Sequence, residues 1–175
     1  MAESVNTKDV AKLVREELHN RFPGVKFSVR CGTGTGSSFI DCDWTDGPSV
    51  AQVDAVTRRY EGARDLTYQY GSAVEGKLPP APVYHCRGIT TVRRFSPAAH
   101  LEAEQIIATN SSIPEIVICD EAGTLVRGEL IAPDREVQID GRAWPYSCLA
   151  AHDAVAFTLR NRDLTAYPSS QTIAA

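Results

Sequence analysis

The first sixty residues change from the apolar spacing of a helix to that of a strand. Residues 7–22 carry an apolar position every three or four residues, which predicts an amphipathic helix ended by Pro23 and Gly24. From Val25 onward, apolar and polar residues alternate, which is the period of a strand with one buried face. The positions predicted to face the core from this helix are Val10, Leu13, Val14 and Leu18.

A glycine-rich connection, residues 32–38, separates two alternating stretches at 25–31 and 39–44. The short spacing predicts an antiparallel hairpin, and the connection itself is expected to be mobile and without regular structure. Ile40, Cys42 and Trp44 are predicted to point inward. Asp46-Gly47-Pro48 predicts a turn, and Ser49 followed three residues later by Gln52 predicts a capping box that opens a second helix.

The rest of the chain alternates between weaker patterns. A β-like run at 83–94 is followed by Ser96-Pro97, which predicts a third helix extending to Asn110. Beyond it, short β-runs at 113–119, 124–132 and 135–139 predict a meander, and a final helix is expected from Ser147. The prediction is an α+β fold: an antiparallel sheet covered by helices, with a β-meander plus a helix in the C-terminal third. The expected organisation is a core at 1–110 and a region at 111–175 packed on the same domain.

The composition indicates the class of protein and its location, but it indicates no catalytic activity. The 175 residues are 43% hydrophobic and 23% charged, with a formal net charge of -4, which excludes a generally basic phosphate binder. The N-terminus lacks the apolar segment of a signal peptide, and no apolar run approaches the roughly 18 residues of a membrane span. Five cysteines occur singly, which favours reduced, buried thiols in a cytosolic protein.

Two polar stretches of the hairpin invite a ligand, and neither fits a known ligand motif. The run Gly32-Thr33-Gly34-Thr35-Gly36 leads into a strand and lacks the P-loop lysine, so a hairpin turn with an exposed contact surface is favoured over a phosphate cradle. Asp41, Asp43 and Asp46 do not have the spacing of a calcium loop. Asp41 and Asp43 share one strand face, which leaves open a weak divalent-cation site, but a solvated acidic face is favoured. Thr33, Thr35 and the three aspartates are therefore predicted as binding residues, with no metal.

Catalytic signatures are missing from the sequence. Cys148 and His152 share a face of the predicted last helix, which leaves open a thiolate–imidazole pair or half of a metal site. No nucleophile elbow or metal-binding helix motif occurs. The prediction leans towards a protein that is not an enzyme, with no catalytic residues and no cofactor.

Arginines and tyrosines form the remaining candidate surface. Arginine beside aromatic rings suits nucleic acid and protein partners equally well. If the second helix and the 83–94 strand are neighbours, these side chains form one cationic patch beside Tyr60. The predicted binding residues of this patch are Arg58, Arg59, Tyr68, Tyr70, Arg93 and Arg94.

Three segments of the sequence resemble a known family: R-F-P-G-V-K-F-S-V-R at 21–30, S-S-F-I-D-C-D-W-T-D-G-P-S with V-A-Q-V-D-A-V at 37–56, and R-G-I-T-T-V-R-R-F-S at 87–96. They resemble the core of a large polyvalent-protein-associated domain family over about residues 7–108. Such modules occur in very long proteins of phages and conjugative elements and as small free-standing proteins. The resemblance implies a mobile-element setting, among proteins thought to protect or process incoming DNA, and it carries over no catalytic residue.

The functional hypothesis follows from that setting and from the lack of a catalytic signature. The leading hypothesis is a small phage or mobile-element protein that binds and inhibits a host defence complex, of the anti-CRISPR or antirestriction type. The alternative is a nucleic-acid-binding accessory module of a mobile element. A modifying enzyme that uses Cys148 is the third. No membrane partner is expected.

Overall fold

Four α-helices and seven short strands make up the part of the chain that the structure, a computed structural model, describes: residues 4–62, 83–112, 117–126, 137–144 and 150–165. No helix in these ranges is both long enough and apolar enough to cross a membrane. The chain divides into two compact units, the first formed by Met1–Trp44 with Val50–Arg93 and the second by Thr45–Ser49 with Arg94–Ala175. The elements are β1 (Ser4–Val5), α1 (Thr7–Arg21), β2 (Ser28–Cys31), β3 (Phe39–Thr45), α2 (Val50–Thr57), β4 (Val83–Tyr84), β5 (Gly88–Arg94), α3 (Pro97–Asn110), β6 (Gln138–Ile139), β7 (Arg142–Ala143) and α4 (Ala151–Leu159).

Helix α1 begins where the sequence predicts. The side chain of Asn6 accepts a hydrogen bond from the backbone N–H of Asp9 at 3.1 Å and so caps the first turn. Its buried stripe is Val10, Ala11, Val14 and Leu18, whereas Leu13 is 37% exposed. The prediction that Leu13 faces the core is wrong, because the stripe is set by the i, i+4, i+8 series from Val10 and Leu13 lies at its side.

The predicted hairpin is confirmed. Strands β2 and β3 pair antiparallel in a register that sets Ser28 opposite Asp43 and Cys31 opposite Ile40. The connection between them is not irregular throughout, since Gly34–Gly36 forms a 3-10 turn. On the side of the sheet that faces the helices, the hydrophobic core of the first unit includes Val29, Ile40, Cys42, Trp44, Val53 and Val56.

The expectation of an antiparallel sheet is wrong. The three-stranded sheet has the order β2-β3-β5 and is mixed, with β5 parallel to β3. A parallel neighbour requires a crossover that returns the chain to the same end of the sheet, and α2 lies on the connection that does so. The β-like run at 83–94 is also divided: β4 pairs in parallel with β1, and β5 begins at Gly88.

In the second unit, α3 packs with α4 around a separate core. Ser96 caps α3 by accepting from the N–H of Ala99 at 3.3 Å, and Pro97 is the first helical residue, as predicted. The carboxylate of Glu104, on α3, accepts from the N–H of Cys119 and from its Sγ, both at 2.9 Å. The buried apolar residues are Ala99, Ala103, Ile107, Ile118, Val137, Ile139, Trp144, Ala151, Ala154, Val155, Leu159 and Leu164.

The predicted meander is seen in part. In the described residues, β6 and β7 form a small antiparallel hairpin, and Cys119 bridges to Leu125. The hairpin turn places Asp140 and Gly141 at φ 52° and 71°, the left-handed pair that an Asp-Gly dipeptide favours. Residues 113–116 and 127–136 lie outside the described residues, as do Ser147 and Cys148. The predicted boundary near residue 110 stays a prediction.

Candidate functional site

One side of the three-stranded sheet points away from the helices of its unit. On β3, Ile40, Cys42 and Trp44 are buried, so Phe39, Asp41 and Asp43, which alternate with them, face the other way. On β5, the hydroxyl of Thr91 donates to Asp54 of α2 at 2.8 Å, which places Thr91 on the helix side. We call the opposite side the outer face; within the first unit its residues include Arg30, Phe39, Asp41, Asp43, Thr90 and Val92.

Two apolar side chains of the outer face are exposed. Phe39 is 42% exposed and Val92 is 41% exposed. The Phe39 ring lies 3.5 Å from where a Cβ on Gly88 would stand, so the ring covers the glycine backbone of the neighbouring strand. An aromatic ring over a strand glycine stabilises both by excluding water from the backbone. Large apolar side chains held in this way on an exposed sheet are a surface suited to contact with another molecule.

The outer face also carries charged groups. The guanidinium of Arg30 forms an ion pair with the carboxylate of Asp43 at 3.0 Å, diagonally across β2 and β3. Asp41 stands directly opposite Arg30 in the strand register and is exposed. Among the described residues, Asp41 makes no ion pair. Of the predicted binding residues, the structure therefore places Asp41 and Asp43 together on the outer face.

Thr33 and Thr35 lie at the end of the same hairpin. Both are exposed, at the 3-10 turn that connects β2 to β3. The N–H of Gly32 donates to the carbonyl of Phe39 at 2.9 Å, which closes the connection onto the start of β3. The two threonines thus adjoin the outer face along the chain.

The arginine–tyrosine group forms on the helix side, not on the outer face. Arg58 pairs with Asp54 at 3.3 Å, and Arg59 pairs with Glu17, which also accepts from the Tyr60 hydroxyl. Each arginine of this pair is thereby matched by a carboxylate. The Tyr60 ring lies 5.4 Å from that of Tyr84 and 5.2 Å from the Arg59 guanidinium carbon. Tyr68 and Tyr70 lie outside the described residues.

The remaining predicted binding residues are Arg93, Arg94 and Asp46. Arg93 is half-buried and shares the strand parity of Thr91, whereas Arg94, which is grouped with the second unit, is exposed at the last position of β5 and has the parity of Thr90 and Val92. Asp46 is 1% exposed in the second unit, where its carboxylate accepts from the N–H of Ser96 at 2.9 Å. Its role in binding stays a prediction.

The buried cysteines are held as neutral thiols. Burial raises the pKa of Cys42 to about 12, with a further contribution from the charges of Asp43 and Asp54. Burial also raises the pKa of Cys119 to about 12, helped by its hydrogen bond to Glu104, and raises that of Cys86. Since the thiolate is the nucleophile and the metal ligand, these three sulfurs are unreactive near neutral pH. Within the described ranges, no three His, Cys, Asp or Glu side chains come together as metal ligands.

The sequence profile of a known family, large polyvalent protein associated domain 29, matches residues 5–96, just over half of the chain. The chain belongs to this family. Domains of this kind are carried by mobile elements and by the polyvalent proteins of phages. The matched span includes every residue of the outer face. No curated protein and no solved structure matches the chain.

The family match ends at Ser96, at the N-terminus of α3. Sequence reasoning identified the hairpin of the family domain but missed Phe39, Thr90 and Val92 as surface residues. The sequence contained one signal for Phe39: it has the strand parity of Asp41 and Asp43, so the alternation of β3 puts its ring on the same polar face as the two aspartates. For Val92 no such signal existed, because the pairing partner of β5 was unknown.

Proposed function

We propose that the chain is a binding protein of a phage or other mobile element that inhibits a host defence complex, of the CRISPR or restriction type, through protein–protein contact. Its family membership supports the mobile-element setting. The observation that carries the proposal is the outer face, where the apolar side chains of Phe39 and Val92 are exposed among polar and charged groups. Exposed apolar side chains beside polar and charged groups occur in protein interfaces.

The pairing of charges favours a protein partner over nucleic acid. Binding to a phosphate backbone draws its free energy from cations that release counterions, so the cations must be available. Arg30, Arg58 and Arg59 are each matched by a carboxylate in the described structure. A nucleic-acid-binding accessory module, the alternative, would have to break these pairs. Steeply salt-dependent retention of DNA or RNA would support that alternative.

Binding through this surface needs no reaction centre. The buried thiols Cys42, Cys86 and Cys119 have raised pKa values and lie away from solvent. Inhibition then results from occupying a surface of the defence complex, and it takes place in the cytoplasm of the host cell. The binding residues of this proposal are Asp41 and Asp43, which the sequence predicts, with Phe39 and Val92 added because they are exposed on the same face.

The experiment is phage plating on bacterial strains that carry one defined restriction or CRISPR system each. Expression of the chain is expected to restore plating of a sensitive phage on at least one strain, and the components of that system are expected to co-purify with it. Val92→Lys should abolish the rescue. Leu13→Lys is the matched control, since it converts an apolar residue of α1 that is 37% exposed. Unchanged plating on every defended strain would contradict the proposal.

A further inference from the structure

The C-terminal ends of β3 and β5 are joined through Asp46. We propose that Asp46 is a positioning residue of the outer face: its buried carboxylate keeps β5 in register with β3, and so fixes where Val92 stands relative to Asp43. This inference rests on the proposed function and names what sets the geometry of the same site. Asp46 is 1% exposed, so its side chain acts through the two strands and not by touching the partner.

Asp46 makes two hydrogen bonds to the end of β5 and the chain that follows it. β3 ends at Thr45, directly before Asp46, and the backbone N–H of Asp46 donates to the carbonyl of Arg94, the last residue of β5, at 2.8 Å. Its carboxylate accepts from the N–H of Ser96 at 2.9 Å. Hydrogen bonds to charged groups are stronger than neutral ones, and breaking one in a buried place is costly. The ends of the two parallel strands are therefore fixed to each other.

The outer face depends on this register because its residues come from both strands. Asp41 and Asp43 lie on β3, and Val92 lies on β5. The direction of backbone hydrogen bonding alternates along a strand, so Val92 directs its backbone towards β3, as Arg94 does two residues later. A slip of β5 by one residue would turn the Val92 side chain to the opposite side of the sheet.

The backbone conformation of Asp46 allows its side-chain bond to be tested separately. Its φ is 54°, a left-handed value that glycine, asparagine and aspartate tolerate. Glycine at this position keeps the conformation and the N–H that donates to Arg94, but it has no acceptor for Ser96. Asparagine keeps the conformation, the N–H and a side-chain oxygen. A comparison of Asp46→Gly with Asp46→Asn therefore isolates the bond to Ser96.

Amide hydrogen exchange of the full-length chain measures the effect on the strands. The readout is the exchange rate of the Val92 amide divided by that of Val53, a core residue of α2 that is 0% exposed. A purely global loss of stability cannot raise this ratio, because it speeds exchange at Val53 at least as much as at Val92. Asp46→Gly is expected to raise the ratio by about tenfold or more, the effect of losing one charge-assisted bond. Asp46→Asn should leave it close to the wild-type value.

Asp120→Gly is the matched control. The carboxylate of Asp120 also accepts from backbone N–H groups, those of Ala122 at 3.0 Å and Thr124 at 2.8 Å, but these lie within its own turn. Glycine at this position removes comparable bonds without touching the link between β3 and β5. The ratio of the Val92 and Val53 exchange rates should stay unchanged.

The same bond can be removed from its donor side, which decides the matter if Asp46→Gly does not fold. Ser96 has a φ of -76°, which proline adopts, so Ser96→Pro deletes the N–H that Asp46 accepts. Ser96→Ala keeps that N–H and, like Ser96→Pro, lacks the hydroxyl that caps α3. Ser96→Pro should raise the exchange ratio and Ser96→Ala should not. An unchanged ratio in Asp46→Gly or Ser96→Pro, or an equal rise in Asp120→Gly, would overturn the proposal.

Binding measurements separate this proposal from the one on which it rests. With the defence component that plating identifies, Asp46→Gly should raise the dissociation constant by about 3- to 10-fold, the range of effects from residues that do not touch a ligand, and Asp46→Asn should bind as the wild type does. If plating is rescued but Asp46→Gly has wild-type affinity, Asp46 does not position the face and the proposed function stands. If the exchange ratio rises as expected but no defended strain is rescued, the role of Asp46 in the register holds and the inhibition of host defence is wrong.

Discussion

The carboxylate of Asp46 accepts a hydrogen bond from the backbone N–H of Ser96 across fifty residues of chain, at 2.9 Å. The backbone N–H of Asp46 in turn donates to the carbonyl of Arg94 at 2.8 Å. Asp46 is 1% exposed and has a φ of 54°, in the left-handed region. This contact joins two of the segments on which the family resemblance is based, the Thr-Asp-Gly-Pro-Ser turn and the Arg-Phe-Ser segment that opens α3.

Replacement of Asp46 is expected to destabilise the fold, and the loss should be larger when the new residue has neither a hydrogen-bond acceptor nor a tolerance for positive φ. Asp46→Ala removes a buried acceptor and puts alanine at a positive φ, so the free energy of unfolding should fall by about 2–4 kcal/mol. Asp46→Asn keeps a side-chain oxygen and tolerates the left-handed conformation, so it should cost clearly less. Urea denaturation measures both. Equal losses for the two variants would contradict this ranking.

Gly62 is expected to tolerate no side chain. A Cβ there would stand 2.2 Å from the carbonyl oxygen of Tyr84, and the N–H of Gly62 donates to Cys86 at 2.7 Å. Gly62→Ala should lower the free energy of unfolding by about 1–3 kcal/mol, because backbone must shift to admit the methyl group.

Gly36→Ala is the matched control for that change. A Cβ at Gly36 meets no atom within 4 Å and its φ is not positive, so the variant should be neutral or slightly more stable. Thermal unfolding of the two variants beside the wild type makes the comparison. A loss at Gly36 as large as that at Gly62 would refute the steric account.

The hydrophobic pattern predicts the β2–β3 hairpin of the first unit, but it does not predict how β5 pairs with that hairpin. Alternation at Val29, Ile40 and Trp44 is local, so the hairpin and its buried side could be derived from sequence. The parallel placement of β5 could not be derived from the sequence, because it depends on where the crossover after α2 returns the chain. The side of the sheet on which Thr91 lies is known only from its hydrogen bond to Asp54.

The difference between local patterns and contacts of distant segments also explains which residues of the candidate site could be predicted. Asp41 and Asp43 were predicted as binding residues from their strand parity, and they do share the outer face. Asp46 has the composition of an exposed turn residue, yet its carboxylate is held by Ser96, a contact between distant segments that no local pattern indicates. Val92 became a surface candidate only when the neighbour of β5 was known.

Stability is expected to fall at alkaline pH as the Cys42 thiol is forced to ionise. Burial raises its pKa from 9.0 to about 12 in the folded chain. The folded pKa is the higher one, so this stabilisation is present in full below pH 9 and is lost as the pH rises towards 12. Cys42→Ala should lower the free energy of unfolding at pH 7.5, and the gap to wild type should narrow by pH 11. A gap of constant size in chemical denaturation would contradict the raised pKa.

The central claim is that the outer face is the surface that binds. It is tested most directly by the dissociation constant of the purified chain with the defence component that plating identifies, measured by calorimetry for wild type, Val92→Lys and Leu13→Lys. A charge placed on an apolar residue of the interface should weaken binding by about tenfold or more for Val92→Lys, and Leu13→Lys should bind as the wild type does. Wild-type affinity for Val92→Lys, or an equal loss for Leu13→Lys, would contradict the claim.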